Sequence, residues 1–228
     1  MASTYTDLGI ELMATGENAG TWGTKTNANL NLIEQLTGGF ATVSIAGGAG
    51  TTALDIQDGA LTGTAQQRII EFTGSITGNR IVTIPNDVET FYILKNSTSG
   101  AYTVQFKYAT GSGTSTTFST TDKGIKIVYA TANDGTNPDI VDVMANSSEI
   151  AVTNSNPIKF KDADDSASVG IKAPATVSGS YTLTLPAAVG STSQALVTTD
   201  GSGTLGFTST STFGISTGKS IVMAMIFG

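Results

Sequence analysis

The sequence predicts a mainly β protein: a β-sandwich, then a small β module, with one short helix near the N-terminus. Three observations predict this. Short segments alternate apolar and polar residues and close on Gly, Asn or Pro. Charged residues make up 13% of the 228, about half the usual share, and Thr, Ser and Asn supply the polarity instead. Thr is β-branched and packs well on a pleated sheet. Glycine, at 27 residues, supplies the turns that many short strands need.

Residues 1–45 read as an N-terminal segment apart from the rest. Asn18–Gly23 is turn-rich and holds the only Trp, Trp22. Thr26 or Asn27 suits an N-cap, since its side-chain oxygen can accept a free N–H of the first turn. Leu30, Ile33 and Leu36 then form an apolar stripe at helical spacing, with Leu32 near one edge. Gly38-Gly39 stops the helix, which is expected at about 27–37. A strand follows at Phe40–Ile45, and Gly47–Gly50 reads as a flexible joint.

The sandwich is expected over 46–148. Its strands are Arg68–Phe72, Arg80–Ile84, Thr90–Leu94, Thr103–Tyr108, Ile125–Tyr129 and Ile140–Val143. Asn96–Gly100 and Asn133–Gly135 read as turns between them. Ala145–Thr153 is the expected seam. Residues 149–228 form the small module and end in the apolar run Ile221–Phe227.

Composition bears on function. A net charge of −7, with no Lys/Arg cluster, argues against nucleic-acid binding. The absence of His removes the usual general base, the usual zinc ligand and every Ser-His-Asp arrangement. The absence of Cys removes disulfides and thiolate metal sites. The polar start is no signal peptide, and the apolar run at the end is too short to span a bilayer as a helix. Synthesis in a cytoplasm is the expectation.

Several motifs invite chemistry. Gly214–Ser220 has three residues between its glycines where a phosphate-binding loop needs four, so it reads as a turn. Asp162, Asp164 and Asp165 lack the spacing of a twelve-residue calcium loop and read as a solvated turn. Asp87 with Glu89, and Asp139 with Asp142, are paired carboxylates of the kind glycoside cleavage uses, but edge protection explains them as well. Tyr92, Tyr102, Phe106 and Tyr108 could stack on sugar rings or fill a core or subunit interface, and packing is the commoner use. Trp22 is either a lid over Leu30 and Ile33 or an anchor at a protein contact. No catalytic, cofactor-binding or metal-ligating residue is assigned.

Four segments carry a resemblance. Gly16–Gln35 resembles the opening of tail-fibre and other virion structural proteins of marine tailed bacteriophages. Arg68–Gly100 is similar to a β-rich module of those proteins, and Ala173–Pro186 with Gln194–Leu205 to a segment repeated in phage fibre shafts. Gly218–Gly228 resembles their ending. The resemblance implies a particle component without an active site, usually a homotrimer, located in the virion and made in the host cytoplasm. The chain departs from long fibres in having no coiled coil and no long shaft. A compact appendage, an adaptor, a head fibre or a capsid decoration protein stays open, with a glycan-cleaving tailspike as a further alternative.

Area also points to several copies. The helix stripe and the tail residues Ile221, Met223, Met225 and Phe227 have no evident partner within one copy, and each large apolar side chain is worth about 1.5–3 kcal/mol when buried. Trp22, Leu30, Ile33 and Leu36 with those four tail residues are the expected attachment or oligomer contacts. The expected partners are copies of the chain and other virion proteins, with a host-surface glycan or protein as a further candidate. Attachment through residues 1–40 would leave Asn96–Gly100, Gly111–Thr117 and Asn133–Pro138 facing solvent and the host.

Overall fold

The computed structural model describes residues 2–213. They fall into two compact units that divide between Ile150 and Ala151.

In the first unit, β1 (Thr4–Tyr5) and β2 (Glu11–Leu12) form a short antiparallel ribbon. Helix α1 (Trp22–Gly38) follows. It begins about five residues earlier than expected. The turn before it is set by Asn18 and Gly20, both at positive φ, and the Thr21 N–H donates to the Asn18 carbonyl. Thr21, not Thr26 or Asn27, precedes the helix, and its side chain makes no capping bond.

Nine strands come next: β3 (Phe40–Ser44), β4 (Gly50–Ala53), β5 (Ile69–Thr73), β6 (Arg80–Ile84), β7 (Thr90–Asn96), β8 (Val104–Tyr108), β9 (Thr116–Phe118), β10 (Ile125–Ala130) and β11 (Ile140–Asp142). They make a five-stranded sheet in the order β11-β10-β7-β5-β3 and a four-stranded sheet in the order β4-β6-β8-β9. β3 belongs to the larger sheet, so residues before and after position 45 share one unit.

The two sheets face each other across one core. Ile70, Phe72, Tyr92, Leu94 and Val128 point in from one sheet, and Val82, Val104, Phe106 and Phe118 from the other, all fully buried. Phe106 sits at the centre. Its ring meets Tyr92 edge-on at 5.6 Å and Phe72 at 6.3 Å. Such ring pairs add about 0.5–1.5 kcal/mol beyond the area they bury.

Two facing sheets match a sandwich, but the path of the chain does not. From β3 to β8 each strand crosses to the opposite sheet, and each of β5 to β8 pairs in parallel with the strand two before it. Phe40 pairs with Ile69 and Ile69 with Ile93; Gly50 pairs with Arg80 and Arg80 with Val104. The result is a three-rung parallel coil. Strands β9, β10 and β11 then run antiparallel and complete both sheets.

The corners of the coil are also stacked. The Gly47 N–H donates to the Ser75 carbonyl at 2.9 Å, Thr77 to Gly47 at 2.8 Å and Ile76 to Ser99 at 3.0 Å. The expected flexible joint at Gly47–Gly50 is therefore a bonded corner leading into β4. The expected turn at Asn96–Gly100 is the same corner one rung on. Asn96 and Thr98 are buried there, and the Asn96 side chain accepts from Thr98 and donates to the Asp122 carbonyl.

The second unit holds two hairpins, β12 (Ile158–Lys161) with β13 (Ser168–Ile171) and β14 (Gln194–Thr198) with β15 (Leu205–Ser209). Among its described residues none of 151–211 is buried.

The corner stacking gives a stability prediction. Gly100 has φ of +99°, and a Cβ there would press into the Ile76 carbonyl oxygen. Gly100→Ala should cost about 2–4 kcal/mol through strain and displaced backbone. Gly135→Ala, where a Cβ meets open space, should change stability by less than about 0.5 kcal/mol. Urea unfolding of both variants checks this; equal effects would contradict the stacked corner.

Candidate functional site

Helix α1 is held to the body by one face. Leu32 is fully buried and Leu36 nearly so. The Asn29 amide exchanges two 2.9 Å hydrogen bonds with the Glu11 backbone. Lys25 pairs with Glu11 at 3.0 Å, and this contact, opposed by desolvation, holds the Glu11 carboxyl below its usual value. The expected stripe therefore divides. Leu36 has its partner within one copy, and Leu32, placed at the stripe's edge, lies at the centre of the packed face. Trp22, Leu30 and Ile33 are 65, 58 and 46% exposed. At 100° per residue they lie on a neighbouring face with Thr26 and Thr37. Trp22 is open to solvent rather than a buried lid.

The tail residues Ile221, Met223, Met225 and Phe227 lie outside the described residues, as does Gly214–Ser220.

Five of the carboxylates singled out, Asp139, Asp142, Asp162, Asp164 and Asp165, are occupied by local structure. Asp162 accepts the Ala167 N–H across the turn between β12 and β13, Asp164 accepts Ser166, and Asp165 pairs with Lys161 at 2.8 Å. Asp139 accepts the Thr114 N–H at 2.7 Å and its hydroxyl at 2.9 Å, which lowers its pKa. Asp142 meets Lys126 at 2.9 Å and accepts from Thr116 and the Ala145 N–H. Burial alone would raise the Asp142 carboxyl, but the hydrogen bond from Lys126 and its companions bring it below the ordinary value. Asp87 and Glu89 line an open groove of about 490 Å³ with Asp7 and Asn86. Among the described residues, no group of three or more acidic side chains is gathered to hold a metal ion.

Of the four aromatics, Tyr92, Phe106 and Tyr108 are core, and Tyr102 is part-exposed. The Tyr92 hydroxyl donates to the Ala65 carbonyl at 2.8 Å. Tyr108 donates to Val88 and accepts the Ala132 N–H, each at 2.8 Å. Burial pushes the Tyr92 phenol well above its usual range and raises that of Tyr108. Neither hydroxyl is free for a ligand. Of the expected host-facing loops, Asn96–Gly100 is partly buried, and Gly111–Thr117 runs into β9. Around Asn133–Pro138, the Asn137 side chain accepts from Ser112.

One surface was not expected. The outer face of the five-stranded sheet carries two apolar rows. Phe40, Ile69, Ile93 and Ile127 are paired in register across four strands. Val143, whose N–H donates to the Ile127 carbonyl, continues the row. A second row sets Phe91 against Tyr129 and Tyr129 against Val141. Phe40, Phe91 and Tyr129 are 46–56% exposed. The sequence signal was the unbroken runs Phe91–Leu94 and Ile127–Ala130. Apolar residues at consecutive strand positions place apolar groups on both faces of a sheet, whereas strict alternation leaves one face polar.

Comparison with protein-family models, with curated proteins and with solved structures finds no match for this chain. Among the described residues, no helix is long and apolar enough to cross a membrane.

The Lys126–Asp142 pair faces inward beside the Phe118 ring, 5.6 Å from Lys126 Nζ. A carboxyl with a lowered folded pKa adds stability above its unfolded value of about 3.9 and loses it as pH falls through the folded value. Asp142→Asn should therefore cost about 1–2 kcal/mol at pH 7, with the gap to wild type narrowing toward pH 2. Urea titrations across that range measure it. A gap that stays constant would contradict a charge-based role.

Proposed function

We propose that this protein is a structural component of a tailed-bacteriophage virion, a tail fibre or short tail appendage that works as a homotrimer. The observation that supports this best is the second unit. Four strands form there, yet no residue of 151–211 is buried. In the first hairpin Ile158 pairs with Ile171 and Phe160 with Val169 on one face, while Lys159, Lys161 and Ser168 take the other. All four apolar residues are about half-exposed or more. Isolated two-stranded sheets are marginal in water, and small units bury the smallest share of their surface. Copies of the same chain meeting on an axis supply the missing cover.

The resemblance of Gly16–Gln35 to the opening of phage virion proteins gives the particle context. The helix gives a means of attachment. Its inner face is committed to the body, and Trp22, Leu30 and Ile33 remain for another virion protein, with Trp the residue type most enriched at energetic centres of contacts. Low charge density makes such contacts less sensitive to salt. Function in this reading is mechanical, with no bond made or broken.

The triple variant Trp22→Ala, Leu30→Ser, Ile33→Ser tests the attachment. All three side chains are largely exposed, so the purified variant should keep its fold. Co-expressed during infection, tagged wild-type chain should appear in purified particles and the variant should be depleted about tenfold or more, as loss of about 1.4 kcal/mol or more of binding implies. Wild-type chain absent from particles would overturn the virion reading; variant retained at wild-type level would overturn the helix's role.

A further inference from the structure

We infer that the outer face of the five-stranded sheet is a self-association surface whose occupant is a second copy of this chain. The inference rests on the homo-oligomer reading and adds a contact in the first unit to those of the second.

Area is the first argument. The three aromatics of the face carry about 150–250 Å² each, so at half exposure they leave about 300 Å² in water. Ile125, Ile127 and Val143, each 40–64% exposed, bring the apolar total to on the order of 500 Å². Since interfaces are about 56–65% apolar, that corresponds to a contact of about 800 Å² per copy, the size that stable pairs of proteins bury.

Charge is the second argument. Two chains of net charge −7 repel least through a surface that carries no excess of negative charge. On this face Glu71 and Lys95 pair at 2.8 Å, and the Ser97 hydroxyl donates to the same Glu71 oxygen. Arg68, laid over the Phe91 ring at 3.8 Å and bonded to Thr90 Oγ1 and the Phe91 carbonyl, is a further charge held by neutral partners. The face therefore carries no negative excess to repel an identical copy and no acidic cluster to select a basic partner.

Chemistry is the third. A sugar needs convergent hydrogen-bonding groups beside an apolar platform. The polar groups beside the two rows, Glu71, Lys95, Ser97 and Arg68, are already bonded within the sheet, and the rows themselves offer one side-chain polar atom, the Tyr129 hydroxyl. A shape-matched apolar surface fits them better, and the same rows on another copy provide one.

The full chain carrying Ile127→Lys and Tyr129→Lys, compared with wild type by sedimentation equilibrium, tests the inference. Wild type should form a species of several chains, and the double variant, its circular dichroism unchanged, should associate about tenfold or more weakly. Because the chain lacks cysteine, Ile127→Cys alone gives a second readout that does not depend on the lysine variant folding. Mild oxidation should join it into covalent dimers, while Asp58→Cys, away from the sheet face, should not cross-link. Wild type that assembles, with association unchanged in the lysine variant and no cross-link at 127, would overturn the sheet-face contact and leave the homotrimer standing. Wild type that stays a single chain at high concentration would overturn both, even if another protein or a glycan then bound the face.

Discussion

One packed interior organises this chain, and it lies between two sheets centred on Phe106. Everything else follows from how much apolar surface that interior can take. It accepts inward residues of β3 and of β5 to β11. It leaves the outer rows of the larger sheet, one stripe of α1 and all of residues 151–211 without cover. With so few charged side chains, the molecule does not screen this surface with a polar shell of its own.

The parallel coil explains why the exposed surface is ordered rather than scattered. In-register stacking places each residue of one rung directly above its equivalent in the next. Any outward apolar position repeated from rung to rung becomes a continuous row, as Phe40, Ile69 and Ile93 do. The antiparallel strands added afterwards extend the same row through Ile127 and Val143. The buried Asn96 side chain fixes the corner after β7, because it satisfies the Thr98 N–H and the Asp122 carbonyl, which a shift of one residue would orphan.

Strand positions were legible in the sequence, and strand partners were not. Arg80–Ile84 and Phe40–Ser44 stand out by alternation and by the Gly, Asn or Pro beside them. Pairing depends on contacts between residues far apart, and nothing local in Asn96–Gly100 separates a hairpin turn from a corner of a coil. The short β4 and β9 were missed because Gly50-Thr-Thr-Ala and Thr116-Thr-Phe carry little apolar signal. On the helix, spacing identified an apolar stripe but not which of two overlapping faces packs. Leu32 and Leu36 share one, Leu30 and Ile33 the other, and the choice is made by Asn29 and Lys25 binding Glu11, a contact between segments. The chain's acidic pairs showed in the sequence as possible chemistry, and their use in turns and edges depends on Thr114, Ser166 and Lys126, which spacing does not connect to them.

If one chain cannot bury its own surface, order in the second unit depends on neighbours. Amide hydrogen exchange of the full-length protein over a dilution series tests this most directly. Protection at Ile158–Lys161 and Leu205–Ser209 should fall as the protein is diluted to single chains, while amides of β5 to β8 stay protected. Hairpin amides that remain equally protected in the single chain would show that these strands are held from within one copy, and would contradict the account.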